Sequence, residues 1–399
     1  MAAYLGWTLD AFDFFLLIMV VRHIAADFRT GIPQVSYAIF LTLATRPVGA
    51  LLFGVAADRY GRRPALMASI LLYAAVELLS AFAPSLAALL ALRALFGIGM
   101  GGVWGVGASL AMESVPARSR GLLSGILQQG YPAGYLIAAL AYRLVFPSFG
   151  WRGMFVVGAL PAALVLFIRS GVAESPAWVP VRKRPGGAAG GSGPGLFATI
   201  AGRWPLFLYM IALMTAFTCF SHGTQDLYPS GFLERQRGLG VADVTTIVMV
   251  YNLGAIAGGV LFGALSQAYG RRRMIAFASL LALPMIPLWI GPASVAGLAA
   301  GSFLMQFAVQ GAWGIVPAHL NELSPTSVRG TLPGLAYQLG NLFSSYLSPI
   351  QAHIAEARGG RYSLSLGATV AVVAVVLAAL ALAGPEKRTA ELARGDDGA

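Results

Sequence analysis

Apolar runs of about 20 residues, the length that crosses a bilayer core, recur along nearly the whole of this 399-residue chain. They fall near 4–24, 34–56, 65–83, 86–112, 121–145, 152–170, 204–231, 242–264, 274–292, 295–320, 331–353 and 363–384. Only 11% of the residues are charged, against roughly 25% in a soluble domain. Mean hydropathy is +0.73. Such a chain cannot clothe itself in a solvated surface, and in lipid its backbone must bond to itself. The pattern predicts an all-α integral membrane protein of about twelve transmembrane helices, in a plasma membrane or, for a bacterial source, the inner membrane. The lone cysteine, Cys219, excludes an internal disulfide framework.

The net charge of +11 would raise nucleic-acid binding in a soluble protein. Here the arginines are sorted by loop. "DRYGRRP", "PARSRG", "VRKRPGG", "GRRR", "SVRG" and "PEKR" lie on one side and carry about 17 Lys/Arg, against about 8 opposite. Basic loops stay in the cytoplasm, so both termini are expected there and no nucleic-acid partner is expected. The longest loop is rich in Gly, Pro and Ala. It divides a first six-helix half, 1–170, from a second, 204–384; residues 171–203 read as a cytoplasmic linker and 385–399 as a cytoplasmic tail.

The halves repeat at one offset of 209 residues. It relates "GVAADRYGRR" from Gly54 to "GALSQAYGRR" from Gly263, Trp104 to Trp313, Glu113 to Glu322 and Gln129 to Gln338. A constant offset across several motifs signals duplication. Two six-helix halves related by an axis along the membrane normal place a substrate site between them near mid-bilayer.

The motifs themselves carry a family resemblance. "GVAADRYGRRP" resembles the loop 2–3 signature of the major facilitator superfamily, and "AESPAW" its element after helix six. Within that superfamily "SHGTQDLYPS" resembles the helix-seven signature of the sialate and lactate/pyruvate proton symporters. Ser221, His222, Thr224, Gln225 and Asp226 match it, while Thr218 and Ser230 depart from the expected Asn and Thr. The resemblance implies the major facilitator fold and proton-coupled transport of a carboxylate.

An ionisable group inside a span is costly and by default suggests function. The repeat sets His222 against Asp13 and Cys219 against Asp10. Asp10 and Asp13 share a helix face, so Asp10, Asp13 and His222 are expected at similar depth beside the central cavity. With Asp226 they form the expected proton-coupling set; the alternative is a hydrogen-bonded network that only fixes helices one and seven. A carboxylate needs a cation, and Arg46, near mid-membrane in "LTLATRPVGALLFG", offers a fork of two N–H groups. Pairing with Asp10 or Asp13 is its structural alternative. Arg93 is expected nearer the outer end of helix four, where it could snorkel. Glu77 on helix three is expected to be structural.

Polar residues at helical spacing complete the expected substrate site: Gln128 and Tyr131 on helix five, Gln225 beside His222, Asn252 on helix eight, Gln306, Gln310 and Trp313 on helix ten, Gln338 and Asn341 on helix eleven. Interhelical hydrogen bonding is the alternative for each amide. At the cytoplasmic ends, Asp58, Arg59, Arg62, Arg63, Glu113 and Arg120, with Arg271, Arg272, Glu322 and Arg329, are expected to form ion pairs that hold an inside-closed gate. His319 is expected to bond locally.

No catalytic residue, metal site or cofactor is expected. The glycines of "GIGMGGVWGVG" suit close helix packing and lack the strand of a dinucleotide fold, and no Walker motif surrounds Lys183 or Lys387. The chain is not expected to be an enzyme. The expected function is rocker-switch symport of a small monocarboxylate, lactate or pyruvate, with a proton. The partners are then the anion, the proton and the bilayer, and the protein is a monomer. The alternatives are a sialate or other organic-acid symporter and, from another class, a non-transporting membrane sensor or receptor.

Overall fold

A computed structural model describes residues 1–178, 196–388 and 392. All regular structure among these is helical. Helices Ala2–Asp27, Ile32–Tyr60 and Arg62–Ala81 form spans 1 to 3, and Leu86–Gly101 with Val103–Glu113 form span 4. Span 5 runs through Arg120–Gln128 into the helix from Gly130. That helix reverses at Gly150 (φ 61°), a conformation open to glycine, so span 6 is its continuation to Val157 and then Pro161–Gly171. Trp204–Gln225 and a π-helical turn, Tyr228–Gln236, make span 7. Spans 8, 9 and 12 are Val241–Tyr269, Arg271–Ile290 and Tyr362–Ala383. Span 10 is Val295–Trp313 followed by Val316–Leu323, and span 11 is Leu332–Ser344 followed by Leu347–Ala357.

Besides spans 6 and 7, spans 4, 5, 10 and 11 are also interrupted, near Gly102, Gln129, Gly314 and Tyr346. Breaks of this kind survive in a membrane only where the freed backbone faces protein. Here Ser124 Oγ donates to Gly314 O at 2.7 Å. A short helix, Leu196–Gly202, occupies the end of the expected linker. The basic part of that linker, including Lys183, lies outside the described residues.

The duplication is visible in the local chemistry. Ser85 accepts the N–H of Ala88 at the start of span 4, and Ser294 accepts that of Gly297 at the start of span 10. Gly61 (φ 116°) and Gly270 (φ 98°) make the matching turns into spans 3 and 9. Gly49 lets span 2 approach span 4 so closely that a Cβ would stand 1.9 Å from Ile98 O; at Gly258 it would stand 2.0 Å from Phe307 O. Ala3 and Leu392 share one apolar cluster, so the two ends of the described chain meet on one face, called here the terminal face. Exposed Leu79, Phe277 and Val372 belong to the apolar girdle that meets lipid.

Candidate functional site

Between the halves lies a cavity of about 190 Å³, lined by Phe14, Arg46, Tyr131, His222, Asp226, Tyr337, Asn341 and Ser348 among others. It continues toward the terminal face into a chamber of about 50 Å³ between Trp7, Gln128, Ser221, Gln225, Gln310 and Trp313. Tyr131, His222, Tyr337 and Asn341 face both.

Arg46 is 5% exposed yet under-bonded. Its Nη2 stands 3.9 Å from Asp10 Oδ2, an ion-pair distance too long for a hydrogen bond. The same nitrogen donates to the Met100 sulfur at 3.1 Å, a weak acceptor. Its carbon lies 5.2 Å from the Phe14 ring centroid, and Nε has no partner among the described residues. A buried guanidinium with donors unspent is prepared to take the oxygens of an anion.

Across the cavity, His222 Nδ1 meets Asp226 Oδ1 at 3.1 Å, one helical turn on, and Asp226 Oδ2 accepts Ser348 Oγ–H at 2.6 Å. The side chains of His222 and Asp226 keep 43% and 38% exposure, so the cavity is wet on the side away from the terminal face. Gln225 faces the chamber but spends its amide on Gln306 Oε1 at 2.9 Å, and Gln306 donates to Thr224 Oγ1 at 3.0 Å. Gln310 donates to Ser221 Oγ at 3.2 Å, and Trp313 Nε1 to Phe217 O at 3.2 Å. Gln128 accepts Trp104 Nε1–H at 3.2 Å.

Three expectations at mid-membrane need correction. Asp13 does not stand beside the cavity with His222. It is fully buried inside the first half, where Gly158 makes room for it: a Cβ there would lie 3.1 Å from Asp13 Oδ1 and 3.0 Å from Glu77 Oε1. Helix one carries its two aspartates to different partners, Asp10 toward Arg46 and Asp13 toward span 3. Arg93 does not snorkel; it is 0% exposed, pairs with Glu77 at 2.7 Å and packs 4.3 Å from the Phe96 ring centroid. Asp10, Asn252, Gln306 and Gln338 are absent from the lining of both cavities. Asn252 donates back to Val248 O, and Gln338 accepts from Asn341 at 3.3 Å.

Sequence reasoning missed the floor. Tyr337 sits at its centre, with ring centroids 4.5 Å from Trp104, 5.8 Å from Trp313 and 6.2 Å from Trp7. Trp104 and Trp313 are repeat partners, a signal that was present; Tyr337 matches Gln128 in the repeat and gave none.

Beneath this floor the halves are clamped. Arg62 forks onto Glu113 at 3.1 and 3.2 Å, and Arg271 onto Glu322 at 2.9 and 3.0 Å. Two further pairs cross between halves: Arg120 to Glu322 at 3.2 Å and Arg329 to Glu113 at 3.5 Å. Asp58 accepts from Arg62 and from Gly330 N–H at 2.7 Å, while its counterpart Gln267 accepts from Arg271 and from Gly121 N–H at 3.3 Å. The expected gate set is too wide. Arg59 is exposed and lies over Tyr60, Arg63 donates to Arg169 O, and Arg272 donates to Ala381 O at 3.0 Å; none of these contacts joins the halves. Two missed acids, Glu174 and Glu386, accept the first N–H groups of spans 3 and 9, at 2.9 Å from Arg62 and 3.0 Å from Arg271. His319 is buried with neither ring nitrogen bonded among the described residues, against the expected local bond.

Residues 3–228 and again 226–397 match the family model of the Major Facilitator Superfamily. The chain belongs to the major facilitator superfamily. It is 31% identical to a carboxylic acid transporter protein homolog of Saccharomyces cerevisiae over 93% of this chain, and spans only 62% of that relative's length. It is 28% identical to the sialic acid transporter NanX of Escherichia coli K12, over 95% of this chain and 91% of NanX. Among solved structures, the proton:xylose symporter XylE superposes with a TM-score of 0.74 at 18% identity, covering 99% of this chain and 97% of XylE. That likeness speaks to fold alone. A facilitator of this fold is a transporter and not an enzyme; in this structure the terminal face is clamped and the cavity is wet on the opposite side.

Proposed function

We propose that this chain is a proton-coupled symporter of small organic carboxylates, with monocarboxylates such as lactate and pyruvate as the preferred class. The observation that carries this is Arg46: a buried fork with unspent donors, lining a cavity between the halves. The substrate carboxylate takes the place that Asp10 fills at arm's length, and Tyr131, Gln128, Gln310 and Asn341 hold the rest of the molecule. The similarity to a carboxylic acid transporter homolog supports an acid. The small cavity volume supports a short one.

Two polar groups supply the coupling. His222 and Asp226 face the cavity and lie on the path from the wet side. Arg93 pairs with Glu77 at 2.7 Å, while neither carboxylate oxygen of the buried Asp13 beside it has a hydrogen-bond partner among the described residues; two acids thus face one guanidinium in a dry core, where an unpaired charge is very costly. A proton is the smallest cation that balances it. The terminal face is then cytoplasmic, as the basic loops indicate, and the cavity described here opens outward. Anion and proton enter together, the loaded cavity is near neutral, and the clamp under the floor parts.

A second reading, a larger sugar acid, is favoured by the likeness to NanX. Proteoliposomes holding the purified protein separate the two. Labelled lactate, pyruvate and N-acetylneuraminate are offered with and without an inward pH gradient. Concentrative lactate or pyruvate uptake only with the gradient is the expected result. Gradient-driven sialate uptake alone selects the second reading, and no gradient dependence for any acid removes proton coupling.

A further inference from the structure

On the terminal face, away from the central cavity, a cavity of about 360 Å³ opens between the start of span 9, the end of span 8 and the segment after span 12. Tyr269, Arg272, Arg273, Leu382, Glu386 and Arg388 line it. Three guanidinium groups face one carboxylate, and that carboxylate is committed: Glu386 accepts the backbone N–H groups of Arg271 and Arg272, both at 3.0 Å. Arg388 is held over the end of span 8 by Ala268 O at 2.5 Å, and Arg273 is exposed and makes no ion pair among the described residues. Transport chemistry explains none of this, because no cavity residue or gate pair involves Arg273 or Arg388.

The first half provides the comparison. Its matching turn is built on the same plan, with Glu174 accepting from the backbone of Arg62 and Arg63. Where that half has Pro64 the second has Arg273, and where "ESP" follows at 174–176 the second has "EKR" at 386–388. The capping acid is common to both; Arg273 and Arg388 have Pro64 and Pro176 at the matching places of the first half. They also stand at the head of an apolar track. One turn and two turns beyond Arg273, on the same face of span 9, Phe277 and Leu280 are 57% and 41% exposed. On span 12, Leu382, Val375 and Val372 are exposed as well. Tyr269, 62% exposed, sits at the rim where amphipathic rings meet the headgroup layer.

We infer that this cavity binds the phosphate headgroup of an anionic phospholipid from the leaflet on the terminal face, with its acyl chains lying along the exposed faces of spans 9 and 12. Arginine forks match phosphate oxygens, and basic pockets between spans on this side suit anionic headgroups. Any phosphate monoanion shares the headgroup chemistry; the apolar track is what selects a lipid.

The test is native mass spectrometry of the purified full-length protein, exchanged from detergent into phosphatidylglycerol or phosphatidylcholine. Wild type is expected to retain one phosphatidylglycerol in preference to phosphatidylcholine. Arg273→Ala/Arg388→Ala should weaken that retention by roughly 30-fold, at about one surface-charge increment per arginine. Arg118→Ala, an exposed arginine on the same face of the first half, should leave it unchanged. Arg273→Pro keeps the readout independent of folding, since the first half already carries proline at that place in the repeat; it should lose about fivefold. Equal retention of the two lipids by wild type, or equal loss in the Arg118→Ala protein, overturns the site. Displacement of phosphatidylglycerol by equimolar inorganic phosphate would make it a soluble-phosphate site and overturn the lipid assignment.

Discussion

The clamp at the terminal face and the polar groups at mid-membrane descend from the same duplication, yet they have aged differently. At the clamp, Arg62, Glu113 and Arg120 have identical counterparts in Arg271, Glu322 and Arg329, and the geometry matches to a few tenths of an ångström. Even the reach of Arg120 Nε to Met112 O at 3.2 Å recurs in Arg329 Nε to Asn321 O at 3.1 Å. At mid-membrane nothing charged is shared. Arg46 faces Ala255 in the repeat, Glu77 faces Ile286, Arg93 faces Ser302, and Asp13 faces His222. A gate that must close two halves onto each other rewards self-complementarity, as an isologous contact does. The proposed site for one small anion and one proton does not, so each half is free to supply a different group. Buried charges concentrate in the first half, and the titratable histidine with its neutral amides in the second.

Breaking the clamp should give the largest effect. Glu322 serves both Arg271 and Arg120; removing one charge from such a buried network leaves a cation unpaired at a cost of about 3–5 kcal/mol. In Glu322→Gln the closed terminal face should therefore give way. Ser124→Cys, whose hydroxyl now lies under the floor against Gly314 and Ala318, should go from protected to labelled by an impermeant maleimide applied at that face. Glu113→Gln should match it. Protection retained in either variant would show that the ion pairs ride on a closure made elsewhere, by the aromatic floor.

The same contrast explains what the sequence disclosed. The fold was legible because lipid leaves a chain few choices: apolar length and arginine placement are read one residue at a time, and the 209-residue offset needs no structure. The clamp pairs were legible for the same reason, their symmetry being written twice. The cavity was legible only in part. Arg46, His222, Gln310 and Asn341 could be placed by depth, but depth does not say which way a side chain turns, and one turn of helix sends Asp10 to Arg46 and Asp13 to Glu77. Arg93 was misjudged because its partner lies on another span. Tyr337 was invisible because an aromatic in an apolar helix is the ordinary case.

Within the asymmetric middle, two variants sharpen the comparison. Arg46→Lys keeps the charge and loses the fork, at a cost of about 1.5–3 kcal/mol, so lactate affinity measured on detergent-purified protein should fall at least tenfold. Unchanged affinity would reduce Arg46 to a partner of Asp10. Next come the groups proposed to carry the proton. His222→Gln and Asp13→Asn each keep a hydrogen-bonding shape and remove a titration. Gradient-driven uptake should fall in the variant whose residue carries the proton, while lactate exchange without a gradient survives, because exchange needs binding and reorientation but no net proton movement. Loss of both activities together marks a residue that binds substrate or holds its helix.

The smallest effect is expected where the repeat has already made the substitution. Asp58 and Gln267 occupy matching positions, and each accepts from the arginine four residues on and from a backbone N–H of the opposite half, Gly330 for Asp58 and Gly121 for Gln267. The carboxylate draws its backbone donor to 2.7 Å and adds the Thr331 hydroxyl at 2.6 Å; the amide holds its donor at 3.3 Å. Charged hydrogen bonds are about twice as strong as neutral ones, so Asp58→Gln should weaken closure by only about 1 kcal/mol, a change of several-fold in the open fraction. Maleimide labelling at Ser124→Cys should therefore rise in rate without reaching that of the Glu322→Gln protein, and Gln267→Asp should slow it. Should Asp58→Gln label as fast as Glu322→Gln, the two halves of the clamp are not interchangeable, and the carboxylate of the first half holds the terminal face shut in a way that its amide counterpart does not.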